Sequence, residues 1–214
     1  MPSLEQLFAL NKIVPVVVIN DLAAAIPLAE TLLEAGINTV EITMRSKEAL
    51  AVVSLLRSKV PQMVVGAGTI CNVPDFANAY AAGANYIISP GVTHKLLDYA
   101  ASRKEQVHYI PGVVTPSEAL LCAEFGFKYL KFFPAEAYNA YAVLKALFGP
   151  LSALKFCPTG GITLENLGKY LQLPNIFALG MSSIVESKLI AEHDFVAIKA
   201  LANAAVTIVN SNRA

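Results

Sequence analysis

Short apolar runs of strand length alternate from end to end with longer, helix-like segments rich in Ala and Leu. The strand-like runs are "IVPVVVI" (13–19), "TVEITM" (39–44), "MVVGAG" (63–68), "NYIISP" (85–90), "VHYIPG" (107–112), "YLKFFP" (129–134), "ALKFCPTG" (153–160) and "IFALG" (176–180). Between them lie segments such as "DLAAAIPLAETLLEAG" and "KLLDYAASRK". Strands that alternate with helical patterns imply βαβ units and a parallel sheet.

The punctuation agrees with this division. "TPSE" (115–118) offers Thr115 as N-cap, Pro116 at the first helical position and Glu118 three residues after the cap, a capping box. Gly36, Gly83 and Gly126 each stand where a helix should end and a strand should soon begin, as left-handed C-terminal caps do. Their even recurrence, with no Ser/Gly-rich linker or charge run, argues for one domain over residues 1–214. Eight strands and eight helices close most economically into a single-domain (β/α)8 TIM barrel, although 214 residues is short for one. A doubly wound open sheet is the alternative, but the glycine-rich dinucleotide fingerprint is missing after the first strand. "GAGT" (66–69) is too short to stand in for it.

Composition narrows the function. Hydrophobic residues make up 55% of the chain and charged residues only 15%, which suits strands buried on both faces and an oligomer interface. Sixteen basic residues balance sixteen acidic ones, so no global field attracts nucleic acid or an anionic membrane. The start "MPSLEQLFALNK" lacks the pattern of a signal peptide, and no apolar run is long enough to cross a bilayer. Cys71, Cys122 and Cys157 show no paired spacing, as in a cytoplasmic chain with reduced thiols. His94, His108 and His193 are far apart in sequence, and no metal site is expected from them.

Candidate chemistry comes from charges inside apolar strands. Alternate residues of a strand share a face, so Glu41, Thr43 and Arg45 point one way on the second strand. Tyr129, Lys131 and Phe133 do the same on the sixth. The outer face of a barrel strand is covered by helices, so the polar set should point inward, near the C-terminal mouth. A lysine amine that attacks a carbonyl near neutral pH needs a pKa of roughly 7–8, which desolvation and nearby cations favour. Lys131 beside Phe132, Phe133 and Pro134, with Glu41 to shuttle protons, fits a Schiff-base nucleophile. The plainer alternative is a buried ion pair with a snorkelling lysine. Lys155 lies at the start of its strand and reads as structural. "PTGG" (158–161) and "GMSS" (180–183) follow the last two strands, where barrels commonly hold a phosphate. Gly160 and Gly161 leave the backbone open, and Ser182 and Ser183 carry hydroxyls.

With "VEITMRS", "GAGTI", "ISPG", "IPGVVTPSE", "KFFPAE" and "FCPTGG" in this order, the chain resembles the 2-keto-3-deoxy-6-phosphogluconate (KDPG) aldolases. These include bifunctional members that also cleave 4-hydroxy-2-oxoglutarate. The resemblance implies a class I aldolase that splits 2-dehydro-3-deoxy-6-phosphogluconate into pyruvate and glyceraldehyde 3-phosphate. Lys131 would form the Schiff base and Glu41 would be the general acid/base. Arg45 and Thr69 would hold the carboxylate, Pro90 and Phe133 would wall the methyl side of pyruvate, and Thr159, Gly160, Gly161 and Ser182 would surround the distal phosphate. No cofactor is implied, and the usual assembly is a homotrimer. A main activity on 4-hydroxy-2-oxoglutarate is a second reading, and a non-catalytic phosphosugar-binding barrel a third. Two departures stand out. The family often has Gly-Gly-Ser-Trp where this chain has Gly180-Met181-Ser182-Ser183, and many relatives have Asn-Gly-Gly where it has the bulkier "YNAYA" (138–142).

Overall fold

The computed structural model describes residues 3–8 and 12–212. Among them are nine strands: β1 (Ile13–Val17), β2 (Thr39–Thr43), β3 (Val64–Gly68), β4 (Tyr86–Ile88), β5 (His108–Ile110), β6 (Gly112–Val113), β7 (Tyr129–Phe132), β8 (Lys155–Pro158) and β9 (Leu179–Met181). The helices are α1 (Leu4–Phe8), α2 (Ala25–Glu34), α3 (Ala49–Lys59), α4 (Val73–Ala81), α5 (His94–Ala101), α6 (Pro116–Glu124), α7 (Ala140–Leu147), α8 (Leu167–Leu171), α9 (Ser187–Ala191) and α10 (Phe195–Ser211). The result is an α/β fold in which every strand pairing is parallel. No helix among the described residues is long and apolar enough to cross a membrane.

The eight expected strands do not form one uninterrupted ladder. One sheet has the order β5-β4-β3-β2-β1-β9, and a second has the order β6-β7-β8. The fifth expected strand is divided at Pro111, which has no N–H to give a ladder. Before it, the Ile110 carbonyl accepts from Ser89 N–H on the β4 side; at Pro111 the carbonyl accepts from Lys131 N–H of β7 instead. Between β8 and β9 the pairing is reduced to two parallel bridges, Phe156–Ile176 and Thr159–Gly180.

Local chemistry explains the elements. Thr115 and Glu118 form the expected capping box at the start of α6. Gly36, Gly83 and Gly126 all have φ between +84° and +91°, a left-handed conformation that glycine adopts without a Cβ penalty. After each, the chain folds back by the same pair of bonds. Gly36 N–H donates to Leu33 and Ile37 N–H to Leu32, and the residues around Gly83 and Gly126 repeat the pattern.

Two apolar clusters sit on different sides of the strands. In the larger, Val40, Ile42, Leu130 and Phe132 pack with helix residues such as Leu28, Leu32, Val52 and Leu56. Burying each such side chain contributes about 1.5–3 kcal/mol relative to exposure. The smaller cluster gathers Leu4, Leu7 and Phe8 of α1 with Tyr86, Ile110 and Phe177. Phe8 meets Tyr86 and Phe177 edge-on, with ring centroids 5.3 and 5.5 Å away. Tyr86 opens β4 and Tyr129 opens β7, so α1 covers the N-terminal ends of the strands and leaves their C-terminal ends open.

Candidate active site

A cavity of about 780 Å³ occupies those open C-terminal ends. Its lining comes mostly from residues at or just past the ends of strands: Thr43 and Arg45 after β2, Thr69 after β3, Pro90 after β4, Phe133 after β7, Thr159 and Gly160 after β8, and Ser182 after β9. Glu41 and Lys131 form part of the same surface. Nine of the ten residues expected to act on substrate therefore share one cavity, although they span the chain from position 41 to 182. The tenth, Gly161, is not part of the lining; it turns the loop with φ +81° and lies against the Glu136 side chain.

The alternation of β2 and β7 brings the two charges together. Lys131 Nζ lies 3.0 Å from Glu41 Oε1 and 3.4 Å from Oε2, with both side chains buried. Phe133 presents its ring 5.4 Å from the same nitrogen. Phe132 points the other way into the helix-covered core, so Phe133 is the aromatic group that shields the amine. Such an ion pair adds little net stability, because desolvating both charges offsets their attraction. It does put a proton donor and a proton acceptor within transfer distance.

Two buried neighbours of this pair, Cys157 and Tyr86, stay neutral. Cys157 is the register partner of Lys131, and burial pushes its thiol up to about 12, outweighing the attraction of the lysine charge. Tyr86 is raised well above the ordinary phenol value by burial, against the lowering effect of its hydrogen bond with Thr39. Neither group competes for a proton near neutral pH.

Room for the pair comes from glycine. A Cβ on Gly68 would stand 2.0 Å from Glu41 Oε1, and one on Gly180 would stand 2.2 Å from Thr159 Oγ1. These positions of β3 and β9 must be bare for the polar side chains opposite to occupy the interior. Sequence reading assigned no such role to either glycine; the signal was the small-residue run of "VVGAG", opposite "TVEIT" in the β2–β3 register.

The rest of the rim is held by hydrogen bonds. Thr69 has φ +63°, a costly conformation for a β-branched residue and one that clusters at functional sites. Thr43 donates its hydroxyl to the Val17 carbonyl, so it ties β2 to β1 and is not free for a ligand. Ser183 is likewise committed, donating to the Ile162 carbonyl, while Ser182 stays exposed at the lining. The turn at 159–161 is held by Ala135 N–H on the Thr159 carbonyl, Glu136 N–H on the Gly160 carbonyl and Asn166 Nδ2 on the Gly161 carbonyl. Glu136 itself is gripped by the Tyr170 hydroxyl and, at 3.2 Å, by Lys169. Lys155 lies away from the cavity and donates to the Pro174 carbonyl, in keeping with a structural role. Val16, Val18, Val185, Glu186 and Ser187 also line the cavity, and sequence reading singled out none of them. No group of three or more potential metal-ligating side chains occurs among the described residues.

Known proteins share the sequence pattern and the fold. The family described as KDPG and KHG aldolase matches residues 4–201. A 2-dehydro-3-deoxy-phosphogluconate aldolase of Dickeya dadantii is 40% identical over 95% of this chain and 95% of its own length. A KHG/KDPG aldolase of Escherichia coli K12 is 38% identical, again over 95% of each chain. The KDPG aldolase of Legionella pneumophila, solved with pyruvate captured at low pH as a covalent carbinolamine intermediate, superposes with a TM-score of 0.91 at 38% identity. That match covers 96% of this chain and 98% of the other. On its fold, its cavity and these matches, the chain belongs to the KDPG and KHG aldolase family.

Proposed function

We propose that the protein is a class I aldolase that cleaves 2-dehydro-3-deoxy-6-phosphogluconate to pyruvate and glyceraldehyde 3-phosphate, with Lys131 as the Schiff-base nucleophile. The observation that carries this reading is the buried 3.0 Å contact between Lys131 Nζ and Glu41 Oε1 in a cavity that also holds the Arg45 guanidinium. The whole chain is read as one (β/α)8 barrel. Supporting this are the continuity of β5 and β6 through Pro111, which joins one edge of the two sheets, and the β8–β9 bridges, which join the other.

Glu41 takes a proton from the Lys131 ammonium, and the free amine adds to the C2 carbonyl of the substrate. The resulting carbinolamine loses water, with Glu41 returning a proton to the departing hydroxyl, to leave an iminium. Glu41, a carboxylate again, takes the C4 hydroxyl proton as the C3–C4 bond breaks. The electron pair moves into the iminium to form an enamine, and the C4 fragment leaves as an aldehyde. Glu41 returns that proton to the terminal carbon of the enamine, and water adds to the resulting iminium to release pyruvate and restore the amine. Arg45 makes no ion pair among the described residues, so its charge is available for the substrate carboxylate. Thr69 and Pro90 border that end, and Thr159, Gly160 and Ser182 border the other. All of these act through the protein's own side chains and backbone.

The test is incubation with pyruvate and borohydride followed by peptide mapping. Lys131 should carry a reduced pyruvyl adduct, and an unmodified Lys131 would overturn the assignment. The bifunctional name of the Escherichia coli relative supports a second substrate, 4-hydroxy-2-oxoglutarate; comparison of kcat/KM ranks the two. A homotrimer in the cytoplasm belongs to the same proposal. The free thiols of Cys71, Cys122 and Cys157 support a reducing compartment, and sedimentation velocity measures the assembly.

A further inference from the structure

Charge is distributed unevenly around the cavity. Lys131 is paired with Glu41, and among the described residues the only other cation in the lining is Arg45. The loop after β9 brings Ser182, Ser183 and a carboxylate, Glu186, to the lining. No cation among the described residues lies within ion-pair distance of Glu186. Its side chain is exposed and makes no capping hydrogen bond to α9, although the residue stands at the N-cap. Among the described residues the carboxylate therefore has no ion-pair partner, and it stands on the same loop that contributes Ser182 to the lining.

We infer that Glu186 is a specificity-determining residue that disfavours negative charge at the far end of the substrate. The inference rests on the Schiff-base reading above. A phosphate monoester carries roughly −1.5 to −2 charges near neutral pH. Past the Schiff-base pair and Arg45, the lining on the β9 side adds no lysine or arginine: it brings the exposed Ser182, the Ser183 hydroxyl already donated to Ile162, and the Glu186 carboxylate. Donors at the distal end still bind it, but Glu186 opposes them, so the preference for phosphorylated over unphosphorylated keto acids is narrower than the donors alone would set. A substrate ending in a neutral hydroxymethyl group escapes this repulsion. Because Glu186 is on a partly wet rim, the effect is screened by salt.

The experiment compares the parent protein with Glu186→Gln and Glu186→Lys on two substrates of the same skeleton, 2-dehydro-3-deoxy-6-phosphogluconate and its dephosphorylated counterpart. Glu186→Gln should raise kcat/KM for the phosphorylated substrate about fivefold, through KM, as expected for removing one charge beside a dianion in a largely aqueous setting. It should leave the dephosphorylated substrate unchanged. Glu186→Lys should move the ratio further in the same direction. Both differences should shrink at roughly 1 M salt, where the Debye length is about 3 Å. Equal changes for the two substrates, or none for either, would overturn the role of Glu186. Borohydride trapping of pyruvate in all three proteins separates the two ideas. Failure to trap at Lys131 of the parent protein sinks the Schiff-base reading and this inference with it, whereas trapping with unshifted ratios sinks this inference alone.

Discussion

Gly68 and Glu41 occupy neighbouring strands so closely that the glutamate carboxylate fills the space where a side chain at position 68 would begin. A Cβ there would lie 2.0 Å from Oε1, 2.6 Å from Cδ and 2.7 Å from Cγ, overlaps that no small adjustment relieves. The carboxylate must then leave its place beside Lys131. Gly68→Ala is expected to lower kcat by about 10²-fold, the low end of what a displaced general acid/base costs. In a double-mutant cycle its effect should largely vanish when Glu41 is already Gln, because both changes remove the same contact. Additive losses would show that Gly68 acts by another route.

Glu41→Gln keeps the shape of the side chain and removes its capacity to accept a proton. Turnover should fall by about 10²–10⁴-fold. Pyruvate should still be trapped on Lys131, but more slowly, since the amine remains and only its proton relay is lost. Steady-state kinetics and the time course of adduct formation by mass spectrometry measure the two effects. An unchanged trapping rate would remove Glu41 from carbinolamine formation.

How far these relationships were legible in the sequence depends on the range of the interaction. Strand alternation in "VEITM" and "YLKFF" was enough to aim Glu41 and Lys131 at a common interior, because period-two geometry is local. The left-handed glycines at 36, 83 and 126 and the capping box at Thr115 were legible for the same reason. The break at Pro111 was not, since whether a proline ends a strand depends on which neighbours need its missing N–H. The role of α1 was hidden too. Five residues give no periodicity, and Phe8 has meaning only against Tyr86 and Phe177, far away in sequence. Ser183 looked like a ligand donor, but its partner is a carbonyl on another loop. Gly68 and Gly180 are explained by what stands opposite them, which strand patterning cannot say.

The cover over the N-terminal ends of the strands should contribute to stability and not to catalysis. Phe8 is buried against two aromatic rings, and Phe8→Ala is expected to destabilise by about 3–5 kcal/mol. Since the cavity lies at the opposite ends of the strands, kcat measured well below the lowered Tm should stay within twofold of the parent value. Denaturant titration and kinetics at low temperature check both halves. A large loss of kcat in the folded variant would couple the two ends.

Acid sensitivity should trace in part to the capping box of α6. Partial burial would raise the Glu118 carboxyl, but hydrogen bonds from Val114 N–H, Thr115 N–H and the Thr115 hydroxyl outweigh it and hold the group below its ordinary 4.5. A carboxyl depressed on folding stabilises the native state above its unfolded value and loses that contribution as pH falls through the folded one. The stability gap between the parent and Glu118→Gln should therefore be constant near neutrality and close progressively below about pH 4.5. Thr115→Ala, which removes the cap itself, should cost about 1 kcal/mol. Urea titrations at several pH values test the two variants; a gap that persists at low pH would exclude the carboxylate as its source.

The turn that carries Thr159 and Gly160 is held from outside the cavity, and the Tyr170 hydroxyl is the key to that support. It donates to Glu136, whose own N–H donates to the Gly160 carbonyl. The phenol is raised above its ordinary range, by burial first and by the adjoining carboxylate second, so it remains a donor throughout the working pH range. Tyr170→Phe leaves the buried ring in place and deletes the donor, freeing Glu136 to shift and the turn with it. Lys131 and Glu41 are untouched by this change, so the chemistry of the pyruvate half should continue and trapping of pyruvate should keep its parent rate. KM for the phosphorylated substrate should rise severalfold, an effect of the size expected for a charge-assisted hydrogen bond worth about 1.5–3 kcal/mol when only part of it reaches the site. Removing the acceptor instead, by Glu136→Ala, should reproduce the rise in KM, and the double variant should add little to either single one. Were kcat and the trapping rate to fall together with unchanged KM, the tyrosine would be supporting the amine and not the turn, and the division of the cavity into a pyruvate half and a distal half would have to be redrawn.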